Sequence, residues 1–209
     1  LDETTGYSRP PHFPDAAFDI IAFASSAGGL RALSEILSDL PAEFPAAVVV
    51  VQHLDPRHRS LMADILSRRT PLRVKQAQEG DRLEPGNVYI APPNRHLLVN
   101  PDGTLALSQS ELVHFLRPSA DLLFESVAAS YRNRAIAVVL TGTGSDGGMG
   151  VEAIKKMQGT VIVQDRESAE FSGMPSTAIE TGVVDFILPL TEIASALIKL
   201  VMQDDVKNP

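Results

Sequence analysis

The apolar positions alternate between two rhythms along the chain. Residues 18–24, apolar but for Asp19, form a short run of the kind that makes a strand buried on both faces. A turn of small residues follows, Ser25-Ser26-Ala27-Gly28-Gly29. Leu30, Leu33, Ile36, Leu37 and Leu40 then recur at helical spacing, and Pro41 stops that helix. Residues 46–51, rich in valine, predict a second strand, and Leu61, Met62, Ile65 and Leu66 a second helix. Between about residues 72 and 116 the pattern changes. Val88-Tyr89-Ile90, Leu97-Leu98-Val99 and Leu105-Ala106-Leu107 are split by Pro85-Gly86, Pro92-Pro93 and Pro101-Asp102-Gly103, which predicts hairpins or edge strands rather than a βαβ unit. The first rhythm then returns. A helix starts at Pro118-Ser119 and carries Leu122, Leu123, Val127 and Tyr131. A strong strand over 135–140 runs into a glycine-rich turn and a helix bearing Val151, Ile154 and Met157. Strands over 160–163 and 183–188 flank a short helix at 175–181, and Ala194, Leu197, Ile198 and Val201 mark a closing helix.

Alternating strands and helices predict an α/β fold: a doubly wound, mostly parallel sheet with helices on both faces and a hairpin/edge-strand insertion in the middle. Residues 1–17, with three prolines and no apolar period, read as a flexible tail or linker. Residues 18–203 read as the folded domain, and 204–209 as a C-terminal tail. No internal repeat or low-complexity tract is present.

Composition narrows the function. Eighteen Lys and Arg against 26 Asp and Glu leave a net charge of −8, which argues against a nucleic-acid partner. The absence of cysteine excludes disulfides, a cysteine zinc site and a thiol nucleophile, and fits a reducing compartment. No apolar run is long enough to span a bilayer, so direct membrane insertion is not expected. No secretory signal opens the chain, and a start at Leu1 rather than Met suggests that something natural precedes it.

In a doubly wound sheet, functional groups collect beyond the carboxyl ends of the strands. Three loops qualify. Ser26 follows the first strand, His53 the second, and Asp146 the strand that ends near Leu140. Neighbouring strands lie about 5 Å apart, so sequence separation does not keep these side chains from meeting. A hydroxyl, an imidazole and a carboxylate on one rim suit nucleophilic acyl transfer: Ser26 attacks, His53 takes its proton, Asp146 fixes the imidazole tautomer. The order Ser, His, Asp differs from the common hydrolase orders. Each residue also has a plainer reading. Ser26 is a possible cap, His53 a strand-end histidine with a satisfied hydrogen bond, and Asp146 a possible helix N-cap. A rival chemistry comes from Gly142, Gly144 and Gly147, which spell G-x-G-x-x-G between a strand and a helix. Asp165 stands where a ribose-binding carboxylate is expected, so a dinucleotide-binding oxidoreductase is the alternative. Against it, Asp146 would put a carboxylate in the pyrophosphate loop. A metal site from His53, Asp55 and His58 is weaker still, because no second cluster completes it. His96 and His114 lack chemical neighbours and read as packing or surface residues.

Six segments in order carry a family resemblance: A-S-S-A-G-G (24–29), V-V-Q-H (50–53), P-G-N-V-Y-I-A-P (85–92), R-P-S-A-D-L-L-F (117–124), L-T-G-T-G-S-D-G (140–147) and F-S-G-M-P (171–175). Together they resemble the catalytic domain of the CheB family, the bacterial chemotaxis protein-glutamate methylesterases. The likeness implies that residues 18–203 are a methylesterase catalytic domain with Ser26 as nucleophile, His53 and Asp146 completing the triad, and backbone amides of Ala27 and Thr143 as oxyanion donors. It implies no cofactor and no metal. The implied substrate is a glutamyl methyl ester on a methyl-accepting chemotaxis receptor in the cytoplasm, with glutamine deamidation open to the same chemistry. A receiver domain or a methyltransferase, in cis or in trans, is the further partner it implies. Ala24 stands where the family usually has Gly, Ala27 where it has Thr, and Thr143 where it has Met. These changes are the sequence support for a second alternative, a non-catalytic receptor-binding signalling module.

Overall fold

The computed structural model describes residues 10–53 and 60–202. Seven strands form one sheet: β1 (Ile20–Ser25), β2 (Ala47–Gln52), β3 (Arg73–Gln76), β4 (Asn87–Ile90), β7 (Ala135–Val139), β8 (Thr160–Gln164) and β9 (Phe186–Leu188), in the order β3-β4-β2-β1-β7-β8-β9. Every pairing in it is parallel. The helices are α1 (Gly29–Asp39), α2 (Met62–Ser67), α3 (Ala120–Tyr131), α4 (Gly148–Lys156), α5 (Gly173–Glu180) and α6 (Leu190–Val201). The chain winds outward from β1 in one direction through β2 and in the other through β7, β8 and β9. Because parallel crossovers are right-handed as a rule, the two winding directions put α1 and α4 on opposite faces. α1 packs on α2 and α6, and α4 packs on α3 and α5. Coverage on both faces is why β1, β2 and β7 are buried throughout and carry unbroken apolar runs.

The doubly wound architecture agrees with the sequence expectation, and the middle segment refines it. Strands β5 (His96–Val99) and β6 (Leu105–Ser108) form the expected antiparallel hairpin, seated on α3. Val88-Tyr89-Ile90, expected in a hairpin or at an edge, instead lies inside the parallel sheet between β2 and β3. All four β4 residues are buried, so three consecutive apolar side chains are satisfied only by layers on both faces. β3, Arg-Val-Lys-Gln, escaped the apolar pattern because it is the exposed edge, where charged side chains discourage pairing with another chain.

Part of the segment expected to be a tail lies against the body. Phe13 and Ala16 are buried. The Phe13 amide donates to Asp19 Oδ1 at 2.8 Å, and Arg134 pairs with the other Asp19 oxygen. No described helix is long and apolar enough to cross a membrane.

Candidate active site

The switch in winding direction sits between β1 and β7, where doubly wound sheets open a crevice beyond their carboxyl ends. Ser25 and Gln52 are register partners at the ends of β1 and β2. Ser26 and His53, one residue further on each strand, therefore leave the sheet side by side. Both line a cleft of ≈ 910 Å³ whose walls include Gly28, Arg31, Gln52, Ile65 and Arg69.

The local chemistry explains why β1 turns here. Ser25 is fully buried and donates its hydroxyl to Gln52 Oε1 at 2.6 Å. Gln52 Nε2 donates in turn to the carbonyls of Ser26 (2.6 Å) and His53 (3.1 Å), so one amide ties both loops together. The Ser26 N–H donates to Thr141 O at 3.1 Å, joining the third loop. Gly28 then takes φ = 79°, a left-handed conformation that permits α1 to start at once. Gly29 is needed for a different reason. A Cβ there would lie 2.0 Å from Gln52 Oε1 and 2.6 Å from Ser25 Oγ. Ser26 itself is half-buried, and among the described residues its hydroxyl has no hydrogen-bond partner.

His53 and Asp146 meet directly: Nε2 lies 2.8 Å from Asp146 Oδ2. Asp146 is 2% exposed and accepts three further hydrogen bonds. Oδ1 takes the Ser119 hydroxyl (3.0 Å) and the Asp121 N–H (3.0 Å), and Oδ2 takes the Ala120 N–H (2.6 Å). The carboxylate thus sits on the N-terminus of α3. Burial pushes its pKa up, but the bonds from His53, Ala120 and Asp121 and the nearby imidazole outweigh that and hold it below the usual 3.8. An ionised carboxylate only accepts, so the His53 nitrogen facing Asp146, Nε2, carries a proton, and in the neutral imidazole Nδ1 is then the lone-pair nitrogen.

The β7–α4 loop closes over Ser26. A Cβ on Gly142 would fall 2.8 Å from Ser26 Cβ and 2.3 Å from Met174 Sδ. Gly142 is pinned there by its N–H to Phe171 O and its carbonyl to Met174 N, both at 2.9 Å, which gives the F-S-G-M-P segment a place. Among the described residues neither the Ala27 nor the Thr143 N–H has an acceptor.

The glycine fingerprint does not serve a dinucleotide. Asp121 Oδ1 accepts the N–H groups of Gly147 (3.0 Å), which caps α4, and of Gly150 (2.7 Å) in its first turn, so a carboxylate occupies the helix start where a pyrophosphate would sit. Asp165 spends a side-chain oxygen on the Ser168 amide at 2.7 Å. No group of three metal-ligating side chains exists among the described residues; Asp55 and His58 lie outside them. His96 is buried, accepting the Ser119 N–H on Nδ1 (3.1 Å) and bonding Glu111 O through Nε2 (3.0 Å). The residues to which sequence reasoning gave no role in the site are Gln52, Ser119, read only as a helix start, and Asp121. A glutamine ending an otherwise apolar strand, and a Ser-x-Asp at a helix start, were the available signals.

Comparison with known proteins agrees with this architecture. The family model described as CheB methylesterase matches residues 21–197. A Leptospira interrogans protein with the provisional name protein-glutamate methylesterase/protein-glutamine glutaminase is 41% identical over 183 residues, which cover 88% of this chain and 95% of that one. A Methanosarcina acetivorans protein-glutamate methylesterase/protein-glutamine glutaminase is 41% identical over 191 residues, 88% of this chain but 53% of that one. The crystal structure of the Thermotoga maritima CheB methylesterase catalytic domain superposes with a TM-score of 0.85 at 39% identity, covering 88% of this chain and all of that chain. Neither the oxidoreductase nor the non-catalytic alternative finds support among these relatives.

Proposed function

The chain belongs to the CheB methylesterase family, and from that premise we propose that it hydrolyses glutamyl methyl esters on a chemoreceptor, releasing methanol. The observation that carries the reading is the 2.8 Å bond between His53 and a fully satisfied, ionised Asp146, with Ser26 in the same cleft.

Ser26 Oγ is the nucleophile. His53 takes its proton on Nδ1, because Nε2 is committed to Asp146. This is the reverse of the serine-protease assignment, in which Nδ1 faces the acid. As Ser26 attacks the ester carbonyl, a tetrahedral oxyanion forms against the unpaired Ala27 and Thr143 amides; one such donor is worth about 10²–10³ in rate. Asp146 stabilises the imidazolium. His53 then protonates methoxide as it leaves, and water, deprotonated by His53, releases the glutamate and frees Ser26. A glutamine side chain fits the same sequence with ammonia as leaving group, which supports deamidation as a second reaction. The amides at Ala27 and Thr143 are backbone groups, so the departures at those positions leave the donors in place.

A cytoplasmic receptor segment is the protein substrate this reading names, and a receiver domain or methyltransferase, in cis or in trans, is its regulatory partner. The test is methanol release from methylated receptor membranes. Wild-type turnover with Ser26→Ala reduced by up to roughly 10⁶-fold supports the reading; a Ser26→Ala enzyme of near-normal rate overturns it.

A further inference from the structure

Two helices in this fold exchange carboxylates. Asp146, in the loop that leads into α4, accepts the first two amides of α3 together with the Ser119 hydroxyl. Asp121, in the first turn of α3, accepts two amides at the start of α4, from its cap residue Gly147 and from Gly150, on the single oxygen Oδ1. Each helix start is therefore satisfied by an acid from the other, and the crossing is tight. A Cβ on Gly150 would lie 2.7 Å from Phe124 Cβ and 3.1 Å from the Asp121 Cα. Asp146 immediately precedes Gly147, so whatever sets the position of Gly147 sets the position of Asp146.

We propose that Asp121 is a positioning residue for the hydrolytic site: by holding the start of α4 against α3 it fixes Asp146 at the place where its carboxylate meets His53. The role rests on the methylesterase reading for its effect on rate, but the geometry it controls is independent of substrate. Asp121 and Asp146, the two buried acids at this crossing, lose their protons over different pH ranges. Burial, with the adjacent Asp146 charge, pushes the Asp121 pKa up to about 6, against the opposing effect of the two amides. Asp146 moves the other way, so as pH rises the acid that faces His53 ionises first. The other titratable groups nearby are engaged elsewhere. His53 is on the far oxygen of Asp146, His96 on the Ser119 amide, Lys155 of α4 pairs with Asp185, and Glu125 of α3 and Glu152 of α4 are exposed.

Two variants separate positioning from charge. Asp121→Asn keeps a carbonyl oxygen for both amides, whereas Asp121→Ala removes it. Purified wild-type and variant chains are compared for kcat and KM on a methyl-esterified receptor fragment, and by proton NMR for the downfield Nε2–H line of His53. Asp121→Ala is expected to lower kcat by about 10²-fold, the cost of an ångström-scale misplacement, with KM unchanged. It is also expected to broaden or shift the His53 line. Asp121→Asn is expected to recover most of the lost rate and the wild-type line. Asp121→Ser, which keeps a polar group but falls short of both amides, replaces Ala if that chain does not fold. An unshifted His53 line and unchanged kcat in the truncated variant overturn the proposal. A wild-type chain without esterase activity overturns the methylesterase reading instead, and the NMR comparison then decides the positioning role alone.

Discussion

The two serines at the end of β1 are adjacent in sequence and opposite in consequence. Ser26→Ala removes a half-buried hydroxyl that has no partner among the described residues, so stability should change by no more than about 0.5 kcal/mol. Activity should fall by up to roughly 10⁶-fold, because the other hydroxyls lining the cleft, Ser34 and Ser38, are each donated to a carbonyl of their own helix. Ser25→Ala acts on the other side of the peptide chain. Its hydroxyl, fully buried, donates to Gln52 Oε1 at 2.6 Å. Truncation leaves that oxygen buried without its donor, at a cost of about 1–3 kcal/mol. For a chain of this length each kcal/mol lowers Tm by about 2–4 °C, so a fall of roughly 2–12 °C is expected. Gln52 also holds the Ser26 and His53 carbonyls, and a loosened amide lets the two loops drift. The rate of Ser25→Ala should drop, but by no more than about 10²-fold. The assay is methanol release at saturating ester, with calorimetric melting of the same preparations. An inactive, fully stable Ser25→Ala beside an active Ser26→Ala would refute both the nucleophile and the role of the Gln52 tie.

Asp146→Asn cannot satisfy all four donors now facing the carboxylate. With the NH₂ in place of Oδ1, Ser119 can turn to accept but the Asp121 N–H is left facing it; with the NH₂ in place of Oδ2, the N–H groups of Ala120 and His53 are left facing it. A stability loss of about 1–3 kcal/mol by urea denaturation is expected, and kcat should fall by up to about 10⁴-fold. Gly29→Ala would drive a methyl into the Ser25–Gln52 bond and Gly150→Ala one into Phe124 and the α3 backbone; each should cost about 1–3 kcal/mol, and tolerance of either would contradict the close approaches described. Stability should depend on pH through the two buried acids with opposite signs. Asp146, lowered below 3.8, contributes stability that is complete above that value and is lost as pH falls through its folded pKa. Asp121, raised to about 6, makes the folded chain bind an extra proton between 3.8 and about 6, so its contribution declines as pH rises across that window and then levels off. Urea midpoints measured at steps of pH should show that decline in the wild type and a flatter curve in Asp121→Asn.

The strands and helices that build the covered sheet were legible because their burial leaves a local trace. β1, β2 and β7 are runs of apolar residues buried on both faces, and α1 and α6 show the helical period of a half-buried surface. The same logic placed Ser26, His53 and Asp146 at strand ends, and the six motifs pointed to the family. β3 was not legible, since an exposed polar edge strand has no apolar signature, and β4 was misplaced because three buried residues between proline-containing turns look the same in a hairpin as in a parallel sheet.

What the sequence by itself determined is which residues are apolar, in what period, and which chemistry-bearing side chains follow which strand. Only the tertiary structure decided what those side chains meet. The carboxylate on His53 Nε2, the glutamine joining two loops, and the exchange of Asp121 and Asp146 between helix starts are contacts between residues 25 or more positions apart. Such contacts depend on strand order and helix crossing, and neither leaves a periodic trace in the chain. The glycine loop shows the difference most plainly: its spelling permits a dinucleotide, but a carboxylate from another helix already occupies the amides that would bind one.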